Sequence, residues 1–280
     1  MPAEVFKYRL ITRSDFDGLV CAALLRELQM LDDILFVHPK DMQDGLIDVT
    51  SRDIITNLPY IEGCHLCFDH HFSEAVRNGS AVRQNYILDP DADSAARVVY
   101  NYFGGVQRFP TVSPEMMEAV DKADSARFHR DEILAPKSWV MLNFIMDPRT
   151  GLVRFRDFRI SNYQLMMALV DYCRTHTIKD IMALPDIRER VDLYNSQREQ
   201  FLEQIARCSG VYGNVVAMGK SILNRTNPVD IGSLCLQHGG GGHAAAGTCQ
   251  IPASDADELV PAIVAYLDQS IEPIGALTTA

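Results

Sequence analysis

The chain has 280 residues, enough for two domains, since single hydrophobic cores seldom grow much beyond that length. Hydrophobic residues at 47% and charged residues at 22% exclude a disordered chain. The formal charge of −11 argues against long duplex nucleic acid as a partner, because such binding needs a broad basic face; an anionic ligand must be small and attracted locally, by metal ions or a few Arg and His side chains.

In chain order, Phe6–Thr12 is rich in strand formers, and Leu19–Met30 follows with Val20, Ala23, Leu24 and Leu28 at helical spacing. Ile34–Val37, Asp53–Leu58 and His65–Phe68 are short apolar runs bounded by turn residues, the pattern of buried strands. Cys64 and Cys67 have CxxC spacing, but no second pair follows, and residues three apart in a strand face opposite ways. Packing is the better reading for them than zinc or redox chemistry. Ser94–Phe103 and Pro114–Ala123 read as helices, the second with Ser113 as N-cap and Pro114 at the first position. Strands alternating with helices imply a mainly parallel sheet covered on both faces.

Lys137–Ile145 and Asn162–Arg174 also read as helices. Asp186–Cys208 is a long polar helix whose charges suit a connector between domains. After a break at Ser209-Gly210, strand-like runs at Val215–Met218, Ile222–Asn224 and Thr248–Ile251 and a last helix, Asp255–Gln269, make a smaller α/β domain. The predicted division is 1–185, connector 186–208 and 209–280. No apolar run approaches the roughly 20 residues of a membrane span. The first residues lack a secretory pattern, and the seven cysteines are odd in number and scattered; a reduced, cytoplasmic setting is expected.

Three constellations carry chemistry. Ser14-Asp15-Phe16-Asp17-Gly18 sits between the first strand and first helix, where ligands of doubly wound sheets bind. Two carboxylates there suit a hard divalent cation such as Mn²⁺ or Mg²⁺, although a cap and a solvated turn would leave the same trace. Asp69-His70-His71 follows a predicted strand and offers a metal ligand, an imidazole for the substrate and an anchoring carboxylate. Gly239-Gly240-Gly241-Gly242-His243-Ala244-Ala245-Ala246-Gly247 lets backbone approach an anion closely, and its small residues suit a tightly packed helix start that favours negative charge.

In this order the three motifs resemble the DHH phosphoesterase superfamily, the Gly-rich run matching its C-terminal DHHA1 domain. The resemblance implies two α/β domains with a cleft between them and a metal-dependent hydrolysis of phosphodiester or phosphoanhydride bonds. It assigns Asp15, Asp17, Asn57, His70 and Asp124 to one or two cations, with Asp121 as the fallback for Asp124. His71 would face the phosphate, Asp69 would orient the histidines, and Arg225, Gly240, Gly241, Gly242 and His243 would hold the substrate.

Two departures bear on the metal count. Ile11 stands where the family commonly has a His, and Asn57 where it has a bridging Asp. Arg13 would then direct a fixed positive charge at the phosphate, and His38 and Asp41 are candidate replacement ligands. The expected substrate is polyphosphate, a short oligonucleotide or a dinucleotide, and a homodimer is compatible with the sequence. The rival expectation is a degenerate member that binds a phosphorylated ligand without turnover.

Overall fold

The computed structural model describes residues 7–78, 83–147, 150, 152, 155, 157–212, 215–218, 221–223, 229–243, 246–249 and 253–269. In order the elements are β1 (Tyr8–Arg13), α1 (Phe16–Glu27), β2 (Leu31–Val37), α2 (Pro39–Gln43), β3 (Asp53–Thr56), β4 (Leu66–Asp69), α3 (Phe72–Asn78), β5 (Tyr86–Leu88), α4 (Ala95–Tyr102), α5 (Pro114–Asp124), α6 (Arg130–Leu134), α7 (Ser138–Met146), α8 (Asn162–Thr175), α9 (Ile178–Ala183) and α10 (Pro185–Cys208). Then come β6 (Ser209–Tyr212), β7 (Val215–Met218), β8 (Ser221–Leu223), α11 (Ile231–Gln237), β9 (Gly241–His243), β10 (Ala246–Thr248) and α12 (Ala256–Gln269). The chain divides into two compact units, 1–70 with 80–201, and 71–79 with 202–280.

The first unit is built on a parallel sheet of order β2-β1-β3-β4-β5. Register sorts its side chains by face. Leu10, Ile54 and Phe68 join one apolar cluster, while Ile11, Ile55 and Cys67 belong to another with Val37, Met42, Leu58 and Cys64. Helix α1 is buried along Phe16–Leu25 because it packs on β1 and also meets α4, α5 and α8. Such a helix has little room for an amphipathic stripe. Chain direction across the sheet reverses between β1 and β3, the switch point where loops leave a crevice at the strands' C-terminal ends.

The second unit carries an antiparallel sheet of order β6-β7-β8-β10-β9, and α3 packs there against α11 and β9. Three expectations are corrected here. Ser209-Gly210 is no break, since β6 follows directly on α10. The strand placed at Thr248–Ile251 is Ala246–Thr248. The Gly-rich run opens no helix: Gly241–His243 pairs with Ala246–Thr248 as antiparallel strands, in which the missing Cβ atoms allow close approach of neighbouring elements. Among the described residues no helix is long and apolar enough to cross a membrane.

Candidate metal centre

Asp15 ends the turn after β1 as the N-cap of α1, with extended backbone and its Oδ1 accepting from Gly18 N at 2.9 Å. Asp17 lies in the first helical turn, only 2% exposed. Its carboxylate accepts from Ala95 N at 2.9 Å and Ala96 N at 2.7 Å, the first amides of α4. Helix N-termini favour negative charge there, and Ser94 caps the same helix. The Cys21 thiol is also within 3.9 Å of Asp17 Oδ1.

Asn57, directly after β3, has φ +55° and is 1% exposed. Asn tolerates this left-handed backbone better than most residues. Its Nδ2 donates to Asp15 Oδ1 and Oδ2 at 3.2 and 3.4 Å, whereas its buried Oδ1 has no hydrogen-bond partner among the described residues. At the end of β4, Asp69 Oδ1 accepts from His70 N at 2.8 Å. His70 Nδ1 lies 3.0 Å from the Ala92 carbonyl oxygen. That contact fixes the proton on Nδ1 and directs Nε2 inward, as ligand imidazoles require. Nε2 is 2.6 Å from Asp124 Oδ2 and 3.9 Å from Asp17 Oδ2.

Ligand atoms of Asp17, His70 and Asp124 all lie within 4.8 Å of one another. Burial raises the Asp17 carboxyl to about 8, with Asp124 adding to the effect. Burial lowers His70, but Asp124 and Asp17 outweigh it and push the imidazole up to about 10. Both shifts have one origin: carboxylates gathered out of water hold protons for want of other positive charge. A divalent cation supplies that charge, and Asn57 Oδ1 is a neutral oxygen of the kind such ions accept, so these residues fit a metal.

The other predicted residues are not in this grouping, although Asp15 is near enough to feel it: burial raises its carboxyl, Arg13 lowers it, and Asp124 and Asp147 raise it. Asp15 is engaged by Gly18, Asn57 and Arg13, whose Nε is 2.9 Å away. Asp121 instead binds Arg97 at 3.0 and 2.6 Å and Ser94 Oγ at 2.7 Å, joining α5 to α4. His38 Nδ1 accepts from Lys40 N and caps α2. Neither His38 nor Asp41 belongs to the metal grouping. Ile11 is fully buried on the sheet face away from α1. Cys64 and Cys67 form no disulfide and pack in that same cluster.

His71 belongs to the second unit, at the start of α3, where its carbonyl accepts from Glu74 N at 3.0 Å. Gly240, Gly241 and Gly242 lie there too, and Gly242 N donates to Ser73 Oγ at 3.4 Å. The side chain of His243 and all of Arg225 lie outside the described residues. Sequence reasoning missed the amides of Ala95 and Ala96 and the Ala92 carbonyl. The only trace of them was Ser94, legible as a helix cap.

A parallel sheet with carboxylates and a histidine gathered at its switch point is an arrangement that suits metal-dependent hydrolysis. The chain is 47% identical to the pGpG-specific phosphodiesterase PggH from Vibrio cholerae, with 95% of this chain and 100% of that one covered and a TM-score of 0.72. An exopolyphosphatase-related protein from Bacteroides fragilis shares 12% identity over 93% of this chain and 92% of its own, at a TM-score of 0.42. An uncharacterized protein from Helicobacter pylori shares 13% over 94% and 99%, at 0.30. No family model matches, and no curated protein does. The chain belongs to the DHH phosphoesterase superfamily.

Proposed function

We propose that this phosphoesterase cleaves the phosphodiester bond of a short 5′-phosphorylated dinucleotide of the pGpG type, in the cytoplasm, with Mn²⁺ or Mg²⁺. The observation that carries the reading is the full-length likeness, at 47% identity, to an enzyme described as pGpG-specific. Asp17, His70 and Asp124 would hold the cation, with Asn57 Oδ1 beside it. Bound there, a divalent cation supplies Lewis-acid polarisation and lowers the pKa of water.

The remaining steps fall to the protein's own groups. Asp69 fixes the His70 backbone through its N–H, and the Ala92 carbonyl fixes the imidazole proton. Arg13 presents positive charge to a non-bridging phosphate oxygen, and His71 donates a proton toward the leaving oxygen. The family resemblance assigns Gly240, Gly241, Gly242, His243 and Arg225 to the rest of the dinucleotide. In the reaction, water oxygen forms the new bond to phosphorus and the bond to the 3′-oxygen breaks. One water proton ends on that 3′-oxygen, leaving two nucleoside 5′-monophosphates.

The test is an activity screen of purified protein with Mn²⁺ against pGpG, other dinucleotides, cyclic dinucleotides and polyphosphate, with products resolved by chromatography. The expected result is mononucleotide from pGpG well ahead of every other substrate. Turnover of polyphosphate with none of any dinucleotide would overturn the proposal.

A further inference from the structure

Two of the three candidate ligands are held by one short stretch of chain. The Ala92 carbonyl oxygen fixes the His70 imidazole at 3.0 Å, and Ala95 N and Ala96 N hold Asp17 at 2.9 and 2.7 Å. The third ligand, Asp124, lies on another element, at the end of α5. Metal affinity depends on how closely ligand atoms are placed, so the stretch 92–96 has to be set against α5.

Asp121 makes that link. Its Oδ1 accepts from Ser94 Oγ at 2.7 Å, and its Oδ2 accepts from Arg97 Nε and Nη2 at 3.0 and 2.6 Å. Ser94 and Arg97 bracket the two amides that hold Asp17. Ser94 is also the cap of α4, its Oγ accepting from Arg97 N at 3.0 Å. On its own helix Asp121 stands one turn before Asp124, on the same face. The Asp121 carbonyl oxygen accepts from Ser125 N at 3.1 Å and Ser125 Oγ at 2.5 Å, which closes the turn that carries Asp124.

The strength of the link follows from charge and burial. Hydrogen bonds between ionised partners are about twice as strong as neutral ones. The Asp121 side chain is 13% exposed and that of Arg97 28%, so solvent screens the pair less than it would at the surface. A further pair, Arg127 with Asp93, also spans the two elements, but its side chains are 59% and 37% exposed. Ion pairs so placed contribute little.

We infer that Asp121 is a positioning residue of the metal centre: through Ser94 and Arg97 it sets the α4 amides that hold Asp17 against the α5 turn that carries Asp124. The inference rests on the metal-dependent reading above and reassigns a residue that the sequence resemblance offered as a substitute ligand. The two roles differ in what Arg97 does. If Asp121 bound the cation, Arg97 would compete for its carboxylate, and removing the guanidinium would tighten metal binding. With Asp121 as a link, removing Arg97 loosens the site and weakens binding, although a positive charge has left the neighbourhood of a cation.

The test is calorimetric Mn²⁺ titration of the full-length protein without substrate, with folding followed by circular dichroism in urea. Asp121→Asn, close in shape to the parent, should bind Mn²⁺ about tenfold more weakly, and so should Arg97→Ala. The double variant should be no weaker than the weaker single one, because both changes break one link. Arg127→Ala, which removes the exposed pair, should stay within about twofold of the parent. Tighter Mn²⁺ binding in Arg97→Ala overturns the inference, as does weakening in Arg127→Ala equal to that in Asp121→Asn. A lowered urea midpoint with parental Mn²⁺ affinity marks a merely structural link and overturns it too. A parent that binds Mn²⁺ but hydrolyses no dinucleotide sinks the proposed function alone. Dinucleotide hydrolysis by the parent, with parental Mn²⁺ affinity in Asp121→Asn and Arg97→Ala, sinks this inference alone.

Discussion

Gly18 is where fold and site can be disturbed by a single methyl group. A Cβ built there would lie 2.0 Å from the Arg13 carbonyl oxygen, 2.8 Å from Thr12 Oγ1 and 3.0 Å from the Arg13 carbonyl carbon. The nearest obstacle is backbone at the end of β1, which has no rotamer to give. Restoring ordinary contact takes a shift of about 1.4 Å between β1 and the start of α1. Helix α1 is buried along its length, so the shift is resisted from every side. Overpacking of this kind costs about 1–3 kcal/mol, a large share of the roughly 5–15 kcal/mol that holds a domain folded.

The functional cost is greater than the structural one. Asp15 and Asp17 flank the displaced segment, and Asp17 must keep the Ala95 and Ala96 amides and the cation together. A misplacement of about 1 Å at a reacting centre can lower the rate about 100-fold. Gly18→Ala is therefore expected to lower the urea midpoint, weaken Mn²⁺ binding and cut turnover by about that factor. Urea denaturation followed by circular dichroism, calorimetric Mn²⁺ titration and steady-state kinetics read the three effects. Gly18→Ala with parental stability and parental Mn²⁺ affinity would refute the packing argument outright.

The two adjacent histidines should separate in the same assays: His70→Ala loses Mn²⁺, whereas His71→Ala keeps Mn²⁺ affinity and loses turnover by about 10²–10⁴-fold. Equal loss of metal in both variants would show that they do not divide the work. Gly241→Val should destabilise by about 1–3 kcal/mol without changing Mn²⁺ affinity, because a Cβ there meets Ser73 Oγ at 3.0 Å inside the second unit; parental stability in urea would contradict this. Asp53 is a third case, receiving Arg9 Nε at 2.6 Å and a second guanidinium nitrogen at 2.9 Å, with Thr50 N at 2.6 Å. Burial alone would raise its carboxyl, but the Arg9 and Thr50 bonds outweigh that and leave it below the ordinary 3.8. Its stabilisation is thus fully present above the unfolded value and is lost as pH falls through the lower folded value. Asp53→Asn should cost about 1–3 kcal/mol at pH 7, with the gap to the parent closing below about pH 4 in urea melts. A gap that stays constant to pH 3 would show that the charge is not what matters.

The structure groups Asp17, His70 and Asp124, which the family resemblance had assigned to a cation; Asp17 and His70 follow β1 and β4, where ligands of parallel sheets bind, whereas Asp124 ends α5 and only the resemblance pointed to it. Their supports were not legible in the sequence. The Asp17 carboxylate is held by amides 78 and 79 residues away, and a backbone N–H leaves no mark of its own on a sequence. Helix α3 escaped for another reason. Phe72–Asn78 has only seven residues, too few for a periodic signal, and its place is set by packing on β9 and α11. The Gly-rich run was read as an anion cradle opening a helix, yet it pairs as a strand. A Cβ at Gly247 would meet Cys235 Sγ and the Ile231 carbonyl oxygen at 2.8 Å each, so there the glycine serves the close packing of α11 on β10. Close approach to a ligand and close approach to another element demand the same residue, and composition cannot distinguish them.

Asp15 and Asp17 show the same ambiguity in its sharpest form. They are the same residue two positions apart, and metal chemistry gives no reason to treat them differently. What separates them is the start of α1. Asp15 precedes the helix in an extended conformation, where its Oδ1 accepts from Gly18 N, the third residue after the cap. There it lies within reach of Asn57 and Arg13, both at strand ends. Asp17 is already helical, and the rotation of the first turn carries its side chain inward to the α4 amides and His70. One carboxylate therefore gathers neutral and cationic donors while its neighbour turns to the α4 amides and His70. The cap geometry, more than the residue type, sets which partners each of the two carboxylates meets.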